Sequence, residues 1–396
     1  MIKPELIVHC DWSIGAGKRW LAAAHLSPRG SYRLAKPSLV GKTDSLFSRL
    51  REMAPSGAII AGFDFPIGVP RAYAERAGFG RFPDMLLCLG NGAWADFYNP
   101  AVRPDEISLG RPFYPRIPGG TRKQHLLDGL GLSNVGELLR KCDRRTATRG
   151  NACEMFWTLG ANQVGRAAIH GWRDLLAPAV RNRSISLWPF DGDLQVLLAS
   201  SGITVLESYP AETYGHLGLA RGFGKRTHEG RTSQAPAILS WCERNAIGLP
   251  ADVVADIELG FGDSQTGEDV FDAFVGLLGL IEAIYDPSRC GIPSDPAIRD
   301  IEGWTLGTDS GSVGPTRATR RRSPDGRATK KLWQETGLVS TSTETGRERM
   351  CPACNQKRFV RWPWGWDGHA AHGCTGIAGN TPEERKRTYR ERYLGK

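Results

Sequence analysis

Three short apolar runs, each closed by an acid, do most to limit what this chain can fold into. Leu6 to Cys10 (LIVHC) leads into Asp11, Ala58 to Phe63 (AIIAGF) into Asp64, and Thr204 to Leu206 (TVL) into Glu207. Apolar runs of this length without polar alternation read as strands buried on both faces. Strands of that kind need helices on either side. Helical periodicity is present over Lys42 to Met53, Ala235 to Asn245 and, most clearly, Glu268 to Ile284 (EDVFDAFVGLLGLIEAI). That last helix opens with acids, which suits the positive end of a helix dipole, and is apolar on most sides thereafter. The predicted class is α/β: a mixed sheet flanked by helices and opened by a hairpin whose second strand is Trp20 to His25.

Residues 71–195 are rich in Pro, Gly, Arg and aromatics, with helical pieces near 123–142 and 163–180. They read as a long insertion covering the site. The body is expected over 1–300 and a basic flexible linker, rich in Gly, Ser, Thr and Arg, over 301–349. A small module and a charged terminal helix (TPEERKRTYRERYL) fill 350–396.

The acids are where chemistry is expected. Strand ends and helix starts meet at one rim of an α/β sheet, where sites form. Asp11, Asp64 and Glu207 close strands. Asp269 and Asp272, spaced i, i+3, project from one face of the long helix. Crowded carboxylates either take up protons or bind cations, and Mg²⁺ or Mn²⁺ suits an all-oxygen donor set. Two such ions about 4 Å apart can clamp the attacking and leaving oxygens of a phosphodiester. A lone strand-end acid is usually only a solvated turn or a cap, so the argument rests on the group. No convincing Ser/His triad accompanies it.

The 396 residues carry a net charge of +9, from 51 Lys+Arg and 42 Asp+Glu. From Pro315 onward there are 18 Lys+Arg against 8 Asp+Glu, which leaves 33 against 34 for residues 1–314. A basic appendage on a near-neutral body points to a polyanion, normally nucleic acid, with Arg320, Arg321 and Arg322 as contacts. A solubilising tail is the plainer alternative. The longest apolar stretch, Phe271 to Ile284, is broken by Glu282 and is too short to span a bilayer. With no apolar leader at the N-terminus, a cytoplasmic protein is expected.

Six of the nine cysteines are scattered. The others, Cys351, Cys354 and Cys374, cluster near the end. Cys351-x₂-Cys354 followed by His369 and Cys374 gives four ligands suited to tetrahedral Zn²⁺, with His372 as the competing fourth. Trp362, Trp364 and Trp366 lie among Lys357, Arg358 and Arg361. They fit either base stacking or the mini-core of a small metal-stabilised fold, and most are read as core.

The segments HCDWS, GFDFPIGVP, ESYPAETY, GKRTHEGR and GEDVFDAFVGLL occur in the order seen in the family catalogued as domain of unknown function 429, which this chain resembles over roughly residues 5–285. KCDRRT (141–146) and GANQVGRAAI (160–169) are similar as well. The resemblance implies an RNase-H-like fold and a predicted nuclease. The Asp269/Asp272 helix also resembles the last motif of Holliday-junction resolvases. Carried over residue by residue, it implies that Asp11, Asp64, Glu207 and Asp272 ligate two Mg²⁺ with Asp269 beside them, and that Lys225 contacts phosphate. The stretch RFVRWPWGWDGHAAHGC resembles a zinc-finger-like module appended to various bacterial proteins.

Fold alone does not fix function. The wider superfamily includes actin-like ATPases and sugar kinases, and DWSIGAGK here places glycines and Lys18 after the first acid. The spacing is not that of a Walker A loop, and Gly15 and Gly17 read as hairpin-turn residues. A phosphotransferase or ATPase, or a non-catalytic nucleic-acid-binding adaptor, stands as the alternative to a metal-dependent nuclease.

Overall fold

The computed structural model describes residues 2–146, 150–159, 164–220, 222–263 and 266–308, the strands 340–343, 346–350 and 357–360, and the segments 381–389 and 391–392. The chain divides into two units, Met1–Gly314 and Pro315–Lys396.

The first unit is built on one mixed sheet. Its strands are β1 (Leu6–Asp11), β2 (Trp20–Leu26), β3 (Tyr32–Leu34), β4 (Ser38–Leu39), β5 (Ile59–Phe63), β6 (Ser186–Leu187), β7 (Ile203–Ser208) and β8 (Thr305–Leu306). The order is β3-β2-β1-β5-β7-β6, with β4 also paired to β2 and β8 to β7. β1, β2 and β3 form an antiparallel meander. β5 runs parallel to β1, and β7 parallel to β5.

Strand alternation divides the interior into two cores, one on each face. Leu6, Val8 and Cys10 of β1, Ile59, Ala61 and Phe63 of β5, and Ile203 and Val205 of β7 face one side. Ile7, Ile60 and Leu206 face the other. The first core is completed by the 71–195 region through Tyr73, Phe82, Phe97, Phe113, Phe156 and Trp172. This region is therefore part of the body. It is pinned next to Asp64 by the Trp172 indole N–H, which donates to the Pro66 carbonyl at 2.7 Å. The second core is formed around the helix Thr266–Tyr285, whose Phe271, Phe274, Leu277, Leu278 and Ile281 are fully buried. Each such side chain contributes about 1.5–3 kcal/mol by leaving water.

The body also runs past residue 300. β8 pairs with β7 through Glu207↔Thr305, and Ile301, Trp304 and Leu306 are buried. The return is made possible by two glycines that cross. A Cβ on Gly68 (φ +128°) would lie 2.0 Å from the Glu302 carbonyl oxygen, and one on Gly303 (φ +70°) 2.1 Å from that of Ile67. The expected linker boundary at 301 is thus too early. A two-residue strand leaves no periodicity to read.

In the second unit β9 (Ser340–Thr343), β10 (Gly346–Met350) and β11 (Lys357–Val360) pair antiparallel in the order β11-β10-β9. The linker expected to extend to 349 therefore ends in strands. Their sequences, STST and GRERM, are polar. The terminal helix is Pro382–Tyr389. A capping box opens it: the Glu384 N–H donates to Thr381 Oγ1 at 3.2 Å, and the Thr381 N–H to Glu384 Oε2 at 3.3 Å. Arg320, Arg321, Arg322, Cys351, Cys354, His369, His372 and Cys374 lie outside the described residues.

Candidate functional site

The long helix crosses β1 at one close contact. A Cβ on Gly276 would lie 2.2 Å from the His9 ring, and His9 Nδ1 is 3.1 Å from the Ala273 carbonyl oxygen. One turn before Gly276 on the helix stands Asp272, with Asp269 one turn further back. Two residues beyond His9 on the strand stands Asp11. The contact thus sets the helix acids over the end of β1. Asp64 reaches the same rim because β5 lies beside β1, with Cys10 opposite Phe63. The Trp12 N–H donates to Asp64 Oδ1 at 2.7 Å, and Asp11 and Asp64 are close enough for Asp64 to raise the Asp11 carboxyl. These four acids line one cavity of about 800 Å³, roofed in part by Ala152, Cys153, Val164 and Ala167 of the insertion.

Their charge is under strain. Asp11 is held well above the usual carboxylate range by burial and then by Asp64, Asp272 and Asp269. Asp64 is pushed up to about 7, chiefly by burial, with the Trp12 N–H opposing and Asp272 adding to the rise. Burial also raises Asp269 and Asp272. Asp272 has two partners that favour its ionised form. The Tyr214 hydroxyl donates to Oδ1 at 2.5 Å, and the Lys225 ammonium donates to Oδ2. Lys225 also sits 3.2 Å from Glu268 Oε1. Burial works against the Lys225 charge, but Asp272 and Glu268 outweigh it and raise its pKa. The lysine expected to reach phosphate therefore lies against the acids.

Glu207 lines the same cavity but behaves differently. It lies inside β7, not after it, and is buried. Arg140, fully buried, donates from Nη1 to Oε2 at 2.6 Å and from Nη2 to Oε1 at 2.7 Å. The Ile67 N–H takes a second position on Oε2 at 2.7 Å, and Thr305 Oγ1 donates to Oε1 at 3.0 Å. A carboxylate offers about four acceptor positions, and all four are filled. Glu207, a metal ligand by the resemblance, is here held by Arg140, the Ile67 N–H and Thr305.

Arg140 reaches Asp143 as well, from Nε at 3.0 Å and Nη2 at 2.8 Å. Among the described residues one trio of potential ligands, Cys142, Asp143 and Glu207, has its atoms within 4.8 Å of one another. The guanidinium of Arg140 already pairs with both of its acids, and burial pushes the Cys142 thiol up, away from the thiolate form.

Lys18 is exposed and lines the cavity beside Gly15. The turn Ala16–Lys18 links β1 to β2, and neither Gly15 nor Gly17 adopts a positive φ. Sequence reasoning missed Arg140, Asp143 and Tyr214 as site residues. Tyr214 closes the ESYPAETY segment, and Asp143 lies in KCDRRT, with Arg140 immediately before it. Nothing in those short charged strings signals that Arg140 is withdrawn from water. No helix among the described residues is long and apolar enough to cross a membrane. Comparison of this chain with protein-family models, with curated proteins and with solved structures finds no match.

Proposed function

We propose that this protein is a metal-dependent nuclease that hydrolyses phosphodiester bonds of DNA or RNA, with an RNase-H-like body and a zinc-finger-like terminal module. The observation that carries the reading is the meeting of a first-strand acid, a later-strand acid and two helix acids, Asp11, Asp64, Asp269 and Asp272, at one cavity. They gather there against their own repulsion. The donor set fits Mg²⁺ or Mn²⁺ because it is all carboxylate oxygen, and because a cation, the Lys225 ammonium, already stands against Asp272 and Glu268. Asp11, Asp64 and Asp272 are the residues to hold the ion, with Asp269 beside them. When bound, such an ion supplies Lewis-acid stabilisation of charge on phosphate oxygens.

The protein's own part is to orient and to shield. Tyr214 fixes the Asp272 carboxylate, and the Trp12 N–H fixes Asp64. The insertion limits water at the cavity. Lys225, Arg226 and Lys18 line it and offer charge to a phosphate once an ion holds the acids.

In the second unit the spacing Cys351-x₂-Cys354 supports a zinc site completed by His369 and Cys374, with His372 as the alternative ligand. The charge of this unit supports nucleic acid as the partner.

The test is cleavage of labelled single- and double-stranded DNA and RNA in Mg²⁺, Mn²⁺ or EDTA, beside Asp11→Asn and Asp272→Asn. Metal-dependent cleavage lost in both variants supports the reading. Cleavage that survives both substitutions sinks it. Salt-sensitive binding without turnover replaces it with the adaptor, and a thermal shift with ATP replaces it with the phosphotransferase.

A further inference from the structure

We propose that the acidic cavity takes one tightly held divalent cation, on Asp11, Asp64 and Asp272, and that the Arg140 guanidinium permanently stands where a second cation would be served by Glu207. This rests on the nuclease reading for its metal and narrows it. The first support is coordination. Every acceptor position of Glu207 is occupied, by two guanidinium N–H groups, one backbone N–H and one hydroxyl.

The second support is that Arg140 is locked in place. Its side chain is 0% exposed. It also binds both oxygens of Asp143, whose Oδ2 accepts the Arg140 backbone N–H at 3.0 Å as well. For Glu207 to turn toward an ion, Arg140 would be left buried with a broken pair, which is the costly way to disturb a buried ion pair.

The third support is charge. On the open side of the cavity five acids, Glu268 included, face Lys18, Lys225 and Arg226. With all groups ionised that leaves a deficit that one divalent ion cancels. Beside Glu207, one guanidinium faces two carboxylates, and a second divalent ion would overshoot.

The experiment counts tightly bound Mn²⁺ on the metal-stripped full chain from the loss of the free-ion paramagnetic resonance signal. One equivalent of Zn²⁺ is present, so that the terminal cysteines are occupied. Wild type is expected to hold one Mn²⁺. Glu207→Gln is expected to hold one, with Kd within about threefold of wild type, and Asp11→Asn none. Two tight ions in wild type overturn the proposal and leave the nuclease reading standing. Loss of the ion in a Glu207→Gln protein with an unchanged circular dichroism spectrum overturns it too. No tight ion in wild type overturns both readings. The wild-type count decides even where Glu207→Gln does not fold.

Discussion

Around Glu207 the buried negative charge is met within the protein: Arg140 spans Glu207 and Asp143 and offsets one of the two charges, and backbone and hydroxyl donors fill the remaining acceptor positions of Glu207. Around Asp11 and Asp64, across the same cavity, it is not. There the carboxyls are pushed toward their protonated forms, and the nearest help is Lys225 on Asp272. The closed side contributes to holding the body together, because Glu207 is on β7, Thr305 on β8 and Arg140 in the insertion. The open side weakens the fold at neutral pH, and in the proposed function it is the side that takes the cation. The difference teaches that counting acids at a sheet rim does not count ligands. What decides is whether the protein has already supplied the counter-charge.

The largest effect expected on this contrast comes from Arg140→Met. It takes the guanidinium away from two buried carboxylates and is predicted to cost about 3–5 kcal/mol of unfolding free energy, read from urea denaturation of metal-free protein. Asp11→Asn is predicted to do the reverse. Metal-free stability stays within about 0.5 kcal/mol of wild type, since Asn removes a charge that burial and the neighbouring Asp64 disfavour. The stabilisation by ion at a hundredfold over Kd, about 2.7 kcal/mol, disappears. Equal losses for the two variants without metal would erase the distinction between the sides.

Proton linkage sharpens it further. His9 is lowered from 6.5 to about 4, chiefly by burial. Below pH 6.5 the unfolded chain takes a proton that the folded one refuses, so stability falls as pH drops from 6.5 toward 4, by up to about 3 kcal/mol. Asp64 runs the other way. Its stabilising contribution is full below 3.8 and lost as pH rises through about 7. Melting profiles of wild type, His9→Gln and Asp64→Asn across pH 4–8 separate the two slopes. Metal binding is expected to release protons at pH 6 and few at pH 8.5, measured by calorimetry in buffers of different ionisation enthalpy.

A smaller effect is expected from Lys225→Met. Removing the resident cation is predicted to tighten Mn²⁺ binding by about tenfold, roughly 1.4 kcal/mol, while raising KM for the polymer. Weaker metal binding in this variant would mean that Lys225 organises the acids and does not compete for them.

Much of this architecture is written in local pattern. The runs ending at Asp11 and Asp64 are strands because continuous apolar residues must be covered on both faces. The 266–285 helix announces itself by length, acidic start and apolar body. Glu207 looked the same as Asp11 in one dimension, an acid after an apolar run, and its different fate is set by Arg140, 67 residues away in the chain. Long-range pairing of that kind leaves no periodic trace. Nor does β8, two residues long, which closes the sheet beside it.

The contact between Gly276 and the His9 ring has a further consequence. Asp269 and Asp272 ride on the helix, whereas Asp11 and Asp64 ride on the sheet, so the cavity is a pair of jaws whose gap is fixed by one missing side chain. In the metal-dependent function proposed above, a calliper set this way would discriminate by ionic radius. Mg²⁺–oxygen distances near 2.1 Å and Ca²⁺–oxygen distances near 2.4 Å call for different openings. The choice between those ions would then lie less in the carboxylates themselves than in how closely a backbone can approach the imidazole two residues before Asp11.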